Sequence, residues 1–324
     1  MAEDILDPDL PICDPHHHLW DFPASRYLLP ELLADLTSGH NVESTVFVEC
    51  GSFYRASGPG PMSFVGETEF VGGQAAMAAS GRYGPVLACE GIVGRADLAS
   101  GASVAEVLES HVRAGNGRFK GIRHAGAYDP SPDIRRSHTS PPPGLYGLPS
   151  FREGFAQLAP LGLSFEAWQY HPQLGEVAAL ADAFPGTAIL LNHVGGPLGI
   201  GPYAGKQAEV FAAWKAGIED LAKRPNVWVK LGGLGMAICG FGFHRQDPRP
   251  GSDVLAAAWR PYLETCIEAF GVARGMFESN FPVDGASCDY ATLWNALKRV
   301  AAGGSADEKA ALFKHNARKF YRLD

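Results

Sequence analysis

The sequence predicts an α/β protein built as one (β/α)8 TIM barrel spanning residues 1–324 as a single domain. Three observations carry this. Eight short runs rich in apolar and β-branched residues recur along the chain. Helix-compatible stretches stand between them, the pattern of repeated parallel βαβ units. The longest irregular segments follow strands, where the catalytic face of such a barrel gathers its loops. A doubly wound open sheet would need a glycine-rich phosphate turn after an early strand, and no G-x-G-x-x-G stands there.

The expected strands cover residues 11–14 (running into His16-His17-His18), 44–50, 85–93, 119–124, 163–169, 188–194, 226–231 and 275–281. Helical periodicity marks 104–114, 151–159, 174–183, 207–222, 254–270 and 306–320. Ser103 and Ser305 each precede a glutamate by three residues, the signature of a helix N-cap. Gly162, Gly186 and Gly271 stand where helices should stop. Three loops, 52–61, 125–148 and 236–252, are long enough to be functional. No repeat and no linker divides the chain.

Composition narrows the function. Hydrophobic residues make up 46% and charged residues 19% of the chain, enough to bury a large core. The net charge of -8 and the lack of any basic run beyond Arg135-Arg136 argue against a nucleic-acid-binding face. None of the six cysteines forms a C-x-x-C pair, which argues against a zinc knuckle or a dithiol redox site. The N-terminus has no basic segment followed by an apolar run, and no apolar stretch approaches the ~20 residues of a membrane span. These features lead us to expect a soluble cytoplasmic enzyme with a small-molecule substrate and no nucleic-acid or membrane partner. They leave homo-oligomerisation open.

The chemistry concentrates at strand ends. Asp14, His16 and His18 share one face of an extended segment, because side chains alternate with period two. Two imidazoles so spaced can converge on one metal or one carbonyl oxygen. A lone histidine is usually structural, but the run DPHHHLWD is not a lone histidine. His193 lies in LLNHVGGP at the end of the sixth strand, with glycines leaving space above it.

These motifs, H-x-H on the first strand, N-H-x-G-G on the sixth and S-N-x-P on the eighth, resemble the amidohydrolase-2 family of the amidohydrolase superfamily. The stretches RYLLPELLAD (26–35), FKGIRH (119–124), FEAWQYHPQL (165–174), ILLNHVGGPLG (189–199) and MFESNFPVD (276–284) extend the likeness over nearly the whole chain. The similarity is greatest to the family's lactonase branch, which includes 2-pyrone-4,6-dicarboxylate lactonase, sulfomuconolactone hydrolase and sugar lactonases. The resemblance implies a distorted barrel with His16, His18 and His193 around the substrate carbonyl. In the wider superfamily such histidines hold a divalent metal that generates hydroxide. In the lactonase branch the metal is often dispensable. The resemblance therefore implies either one divalent metal, zinc by ligand type, on His16, His18, His193 and Glu49, or no metal.

One residue departs from the pattern. Asn280 stands where the superfamily places the strand-eight aspartate, and an amide cannot take a proton from water at neutral pH. Asn280 can still position a water or donate to an oxyanion. The base must then be sought among Glu278, two residues deeper on the same face, Glu49, Asp284 and His193. Glu278 could equally be a buried partner of Lys120 or Lys230. The facing of Glu166 is undecided. Arg123 and His124 end the fourth strand, where a guanidinium could grip a substrate carboxylate. Tyr170, His171, Gln169, Tyr54, Arg55 and the pair His244-Arg245 are further mouth candidates, and Trp168 reads as core. The leading expectation is hydrolysis of a lactone. A zinc-dependent decarboxylase of aromatic or muconic acids, and a barrel kept for binding alone, are the alternatives.

Overall fold

Eight parallel strands hydrogen-bond to one another in chain order in the computed structural model, which describes residues 3–323. They are β1 (Ile12–His17), β2 (Val42–Val48), β3 (Leu87–Gly94), β4 (Phe119–Arg123), β5 (Ser164–Ala167), β6 (Ile189–Leu191), β7 (Val227–Leu231) and β8 (Gly275–Phe277). The sheet curls until its ends meet: Asn280 donates its backbone N–H to the His16 carbonyl at 3.0 Å, and His18 to that of Phe281 at 2.8 Å. The result is a nearly closed (β/α)8 barrel. The sixth and eighth runs are the most shortened from their expected extents, the eighth because past Phe277 it leaves β7 and closes against β1.

Helices α1 (Leu29–Leu36), α2 (Val65–Ala79), α3 (Ala105–Gly115), α4 (Pro149–Phe155), α5 (Leu174–Ala183), α6 (Gln207–Leu221), α7 (Ser252–Phe270) and α8 (Tyr290–Val300) wrap the outside. Sequence periodicity missed α1, α2 and α8. Glycines at 66, 72 and 73 blur the apolar stripe of α2, and its inner face includes the buried Glu67 and Thr68. Ser305 caps the helix Ala306–Ala310 as expected, accepting from the Glu308 amide. Ser103 does not cap α3: its hydroxyl donates to the Ser100 carbonyl, and the capping aspartate, Asp97, serves the preceding turn. Gly186 lies beyond the end of α5, where Phe184 is the C-cap.

Alternation along the strands layers the interior. Residues flanking the inward positions, such as Phe165, Ile189, Val229 and Leu231, join the large core between strands and helices. The inward Val46, Val93, Leu190 and Met276 form a second cluster, which Phe320 and Tyr321 of the last helix, Asn316–Tyr321, plug from below. Above it the interior turns polar. Lys230, fully buried, sits 2.8 Å from Glu166 and also donates to the Pro15 carbonyl. Tyr321 and Asn192 donate to the same glutamate.

The strand ends that carry the motifs hold strained backbone. His193, Val194 and Asn280 adopt positive φ (53°, 46° and 55°), a region L residues seldom enter. Each such residue costs about 1–3 kcal/mol and persists only where its surroundings hold it. Trp214 of α6, fully buried, holds this segment by donating from its indole to the Val194 carbonyl at 2.7 Å. Gly233, just past β7, has no room for a Cβ: one would lie 2.5 Å from the His193 ring. Trp214→Phe is expected to lower the unfolding free energy by about 1–3 kcal/mol, the cost of orphaning a buried carbonyl. Urea denaturation checks this, and an unchanged midpoint would show that the carbonyl does not need the indole.

Candidate active site

The polar interior opens at the C-terminal ends of the strands into a cleft of 490 Å³. His18, His193, Arg123 and Asn280 line its floor. Trp20 and Phe22 form one wall and Trp168 and Tyr170 another. The first wall belongs to the hairpin Trp20–Phe22 and Ser25–Tyr27, which stacks Trp20 on the His18 ring at 5.8 Å. Trp168 packs edge-on against His193 at 4.8 Å, so it is a wall of the cleft and not simply core.

Acceptors fix the tautomers of two histidines. His18 Nδ1 lies 2.7 Å from the Val48 carbonyl, which can only accept. His193 Nδ1 lies 2.7 Å from Glu278 Oε1. His18 therefore carries its proton on Nδ1, as His193 does when Glu278 is ionised, and each ring then keeps a lone pair on Nε2. Burial holds both imidazoles well below their ordinary pKa, with Arg123 adding to the effect, so both are neutral. His16 is packed between them, its ring 4.9 Å from that of His18 and 4.5 Å from that of His193. Cations flank it: Lys230 Nζ lies 3.1 Å from Nδ1, and Arg123 Nη1 lies 3.3 Å from Nε2. Burial and Lys230 keep His16 neutral as well.

Glu278 lies beneath this group, fully buried. Its Oε1 accepts from both the ring and the backbone N–H of His193. Its Oε2 stands 2.8 Å from His16 Nδ1 without an aligned hydrogen bond. Burial pushes its carboxyl up to about 8, against the pull of Lys230. Gly232 makes room for it, since a Cβ there would meet Glu278 Cγ at 2.5 Å.

Donor atoms of His16, His193 and Glu278 all lie within 4.8 Å of one another. Two imidazoles and a carboxylate are a donor set of the kind that holds zinc, and the unpartnered Oε2 of Glu278 fits a cation there. This set differs from the one expected from sequence: Glu278 replaces Glu49, and His18 is not in it. Glu49 has no free oxygen, because Arg123 Nε takes Oε1 at 2.7 Å and His138 Nε2 meets Oε2 at 2.8 Å. Burial would raise the Glu49 carboxyl, but His138 and Arg123 more than offset it and hold it well below the carboxylate range. Glu49 thus supports Arg123, with both carboxylate oxygens held by protein partners. Two guanidinium N–H groups of Arg123 remain for a ligand.

Other expected contacts fall elsewhere. His124, next to Arg123, points to the opposite face and accepts from the Leu98 amide. His171 accepts from the Leu198 amide and packs on Tyr203. Arg55 is exposed and paired with Glu69. Tyr170 does line the cleft, and its hydroxyl donates to the Arg135 carbonyl. Asp284 is buried behind Asn280, accepting from its amide at 2.7 Å and from the Gly235 N–H at 2.9 Å. One Nδ2 N–H of Asn280 is committed to Asp284, which leaves its second N–H and its carbonyl oxygen for a ligand in the cleft. Sequence reading missed Trp20, Phe22, His138, Arg135 and Arg136 as lining residues. The signal for Trp20 was there, two positions after His18 on the same strand face.

Burial raises Asp14 to about 6 and Asp284 to about 8, as it does Glu278. A folded-state pKa above the unfolded value means that the folded protein binds the proton more tightly. Stability from these groups is therefore present at low pH and lost as pH rises through the raised values. The buried neutral histidines act oppositely, adding stability as pH rises towards 6.5, so unfolding free energy is expected to fall only between about pH 7 and pH 8, and Asp284→Asn to flatten that fall. A stability that rises over this interval would contradict the assignment.

Comparison with known proteins bears on this site. The amidohydrolase family model matches residues 13–323. An uncharacterized protein of Sinorhizobium fredii, y4mH, is 32% identical over 97% of this chain and 99% of its own. An L-fucono-1,5-lactonase of Burkholderia ambifaria is 30% identical over a stretch covering 50% of this chain and 51% of that one. The crystal structure of an amidohydrolase from Burkholderia multivorans with bound zinc superposes with a TM-score of 0.73 at 23% identity, over 97% of this chain and 99% of the other. The match along almost the whole length, on a barrel with these histidines at its mouth, means that this chain belongs to the amidohydrolase family.

Proposed function

We propose that this chain hydrolyses a small lactone, with Glu278 as the base acting through His193. The observation that carries the reading is the geometry of this pair: Glu278 Oε1 lies 2.7 Å from His193 Nδ1, and His193 lines the cleft. Burial lifts the glutamate to about 8 while it depresses the imidazole. A proton entering at His193 Nε2 therefore comes to rest on the carboxylate, with the ring as conduit. A base whose pKa lies near the working pH is the kind suited to general base catalysis.

The step balances. A water held by the Asn280 carbonyl oxygen attacks the lactone carbonyl carbon. Its proton passes to His193 Nε2 as the Nδ1 proton passes to Glu278 Oε1. Arg123 meets the charge that develops on the carbonyl oxygen, a placement worth several kcal/mol in a desolvated site. The tetrahedral intermediate collapses, the ring C–O bond breaks, and the departing alkoxide recovers a proton from Nε2. His18 Nε2 remains an acceptor for a substrate hydroxyl. Membership of the amidohydrolase family and similarity to L-fucono-1,5-lactonases support this reaction class.

A divalent metal held by His16, His193 and Glu278 would supply Lewis-acid polarisation of the carbonyl and a more acidic bound water. The same donors cannot serve the proton relay at the same time. On the relay account, lactone hydrolysis survives dialysis against EDTA; a rate lost together with about one equivalent of metal would assign the donors to the metal instead.

Glu278→Gln is expected to lower kcat/KM by about 10²–10⁴-fold, the range for a removed general base. Because the base form of a raised carboxyl is gained as pH increases, wild-type kcat/KM should climb with pH through about 8. An acid limb at the ordinary carboxylate value of 4.5, or at the imidazole value of 6.5, would remove Glu278 from this role.

A further inference from the structure

The cleft carries a charge that the rest of the molecule does not. The chain has a net charge of -8, yet no aspartate or glutamate lines the cleft, whereas Arg123, Arg135 and Arg136 do. Arg123 is matched by Glu49. Arg135 and Arg136 are exposed, and among the described residues neither is paired with a carboxylate. Arg136 lies over the Tyr128 ring at 4.7 Å.

The segment bearing this pair is anchored. Tyr170 donates to the Arg135 carbonyl, the Ser137 amide donates to Ala127 at 3.1 Å, and the Thr139 hydroxyl donates to Ala125. Two guanidiniums without a carboxylate partner, on a tethered backbone and lining the same cleft as Trp20 and Trp168, form an anion site beside an apolar slot for a ring. Arginine forks suit planar carboxylates in particular.

We infer that the substrate is an anionic lactone, one whose ring carries at least one carboxylate, and that Arg135 and Arg136 grip that carboxylate while the ring packs between the aromatic walls. A neutral polyhydroxylated lactone lacks the group that this site is built to hold. The inference rests on the lactone-hydrolase reading for the reaction, but its anion site can be tested apart from it.

Phthalate, a planar aromatic dicarboxylate, serves as the probe, with phthalamide as its neutral counterpart. Binding is read by quenching of tryptophan fluorescence, since Trp20 and Trp168 line the cleft. Phthalate should bind saturably and more weakly at higher salt, and phthalamide at least about tenfold more weakly, as expected for the loss of charge-assisted hydrogen bonds. The exposed double variant R135A/R136A should lose at least about tenfold in phthalate affinity. In turnover, kcat/KM for a carboxylated lactone should exceed that for its uncarboxylated parent, and the double variant should collapse that ratio. Phthalate binding that is arginine-dependent in a protein that opens no lactone would uphold the anion site and sink only the reaction. A neutral lactone opened as fast as the carboxylated one, or phthalate bound equally by the double variant, would overturn the inference and leave lactone hydrolysis standing.

Discussion

The site depends on one buried carboxylate. Glu278 has no solvent to stabilise its charge, so it draws on what surrounds it: two donors from His193, the nearby His16 ring, and Lys230 one layer down. Lys230 is itself committed to Glu166, and Glu166 to Tyr321 and Asn192. A buried charge is tolerated only when paired and hydrogen-bonded, and here the pairing runs from the plug at the bottom of the barrel to the histidines at its mouth. The balance leaves Glu278 raised and its histidines depressed, which is the asymmetry a proton relay needs.

The same arrangement accounts for the missing aspartate. Asn280 keeps the strained backbone of the strand-eight turn and its bond to the His16 carbonyl, but gives its amide to Asp284. The carboxylate is therefore displaced by four residues and turned away from the cleft. On the proposed mechanism Asn280 holds the water, and deprotonation falls to the other strand end, where His193 adopts a left-handed conformation and Gly233 stands aside for its ring.

The barrel was legible in the sequence because strand runs of Val, Ile and Leu and the helix patterns each report a local preference. The H-x-H and N-H-x-G-G motifs marked the right strand ends for the same reason: period-two alternation sends His16 and His18 the same way. Partners were not legible. Nothing local says that Glu49 would spend both oxygens on Arg123 and His138, because His138 arrives from a loop 89 residues further along the chain. The opposite facings of Arg123 and His124 follow from alternation and could have been read. That Glu166 faces inward could not, since strand β5 has no period to read when both of its faces are buried. The cleft walls were missed because hairpin and loop residues take their places from tertiary packing, which leaves no periodic trace.

The central claim is that His193 is neutral, with its proton on Nδ1 facing Glu278. Long-range ¹H–¹⁵N correlation spectra of histidine-labelled protein, with the His193 signal assigned by its loss in His193→Asn, measure this directly. The account predicts an Nδ1–H tautomer with an unprotonated Nε2 that does not titrate near 6.5. An Nε2–H tautomer, or an imidazolium forming near that value, would contradict it.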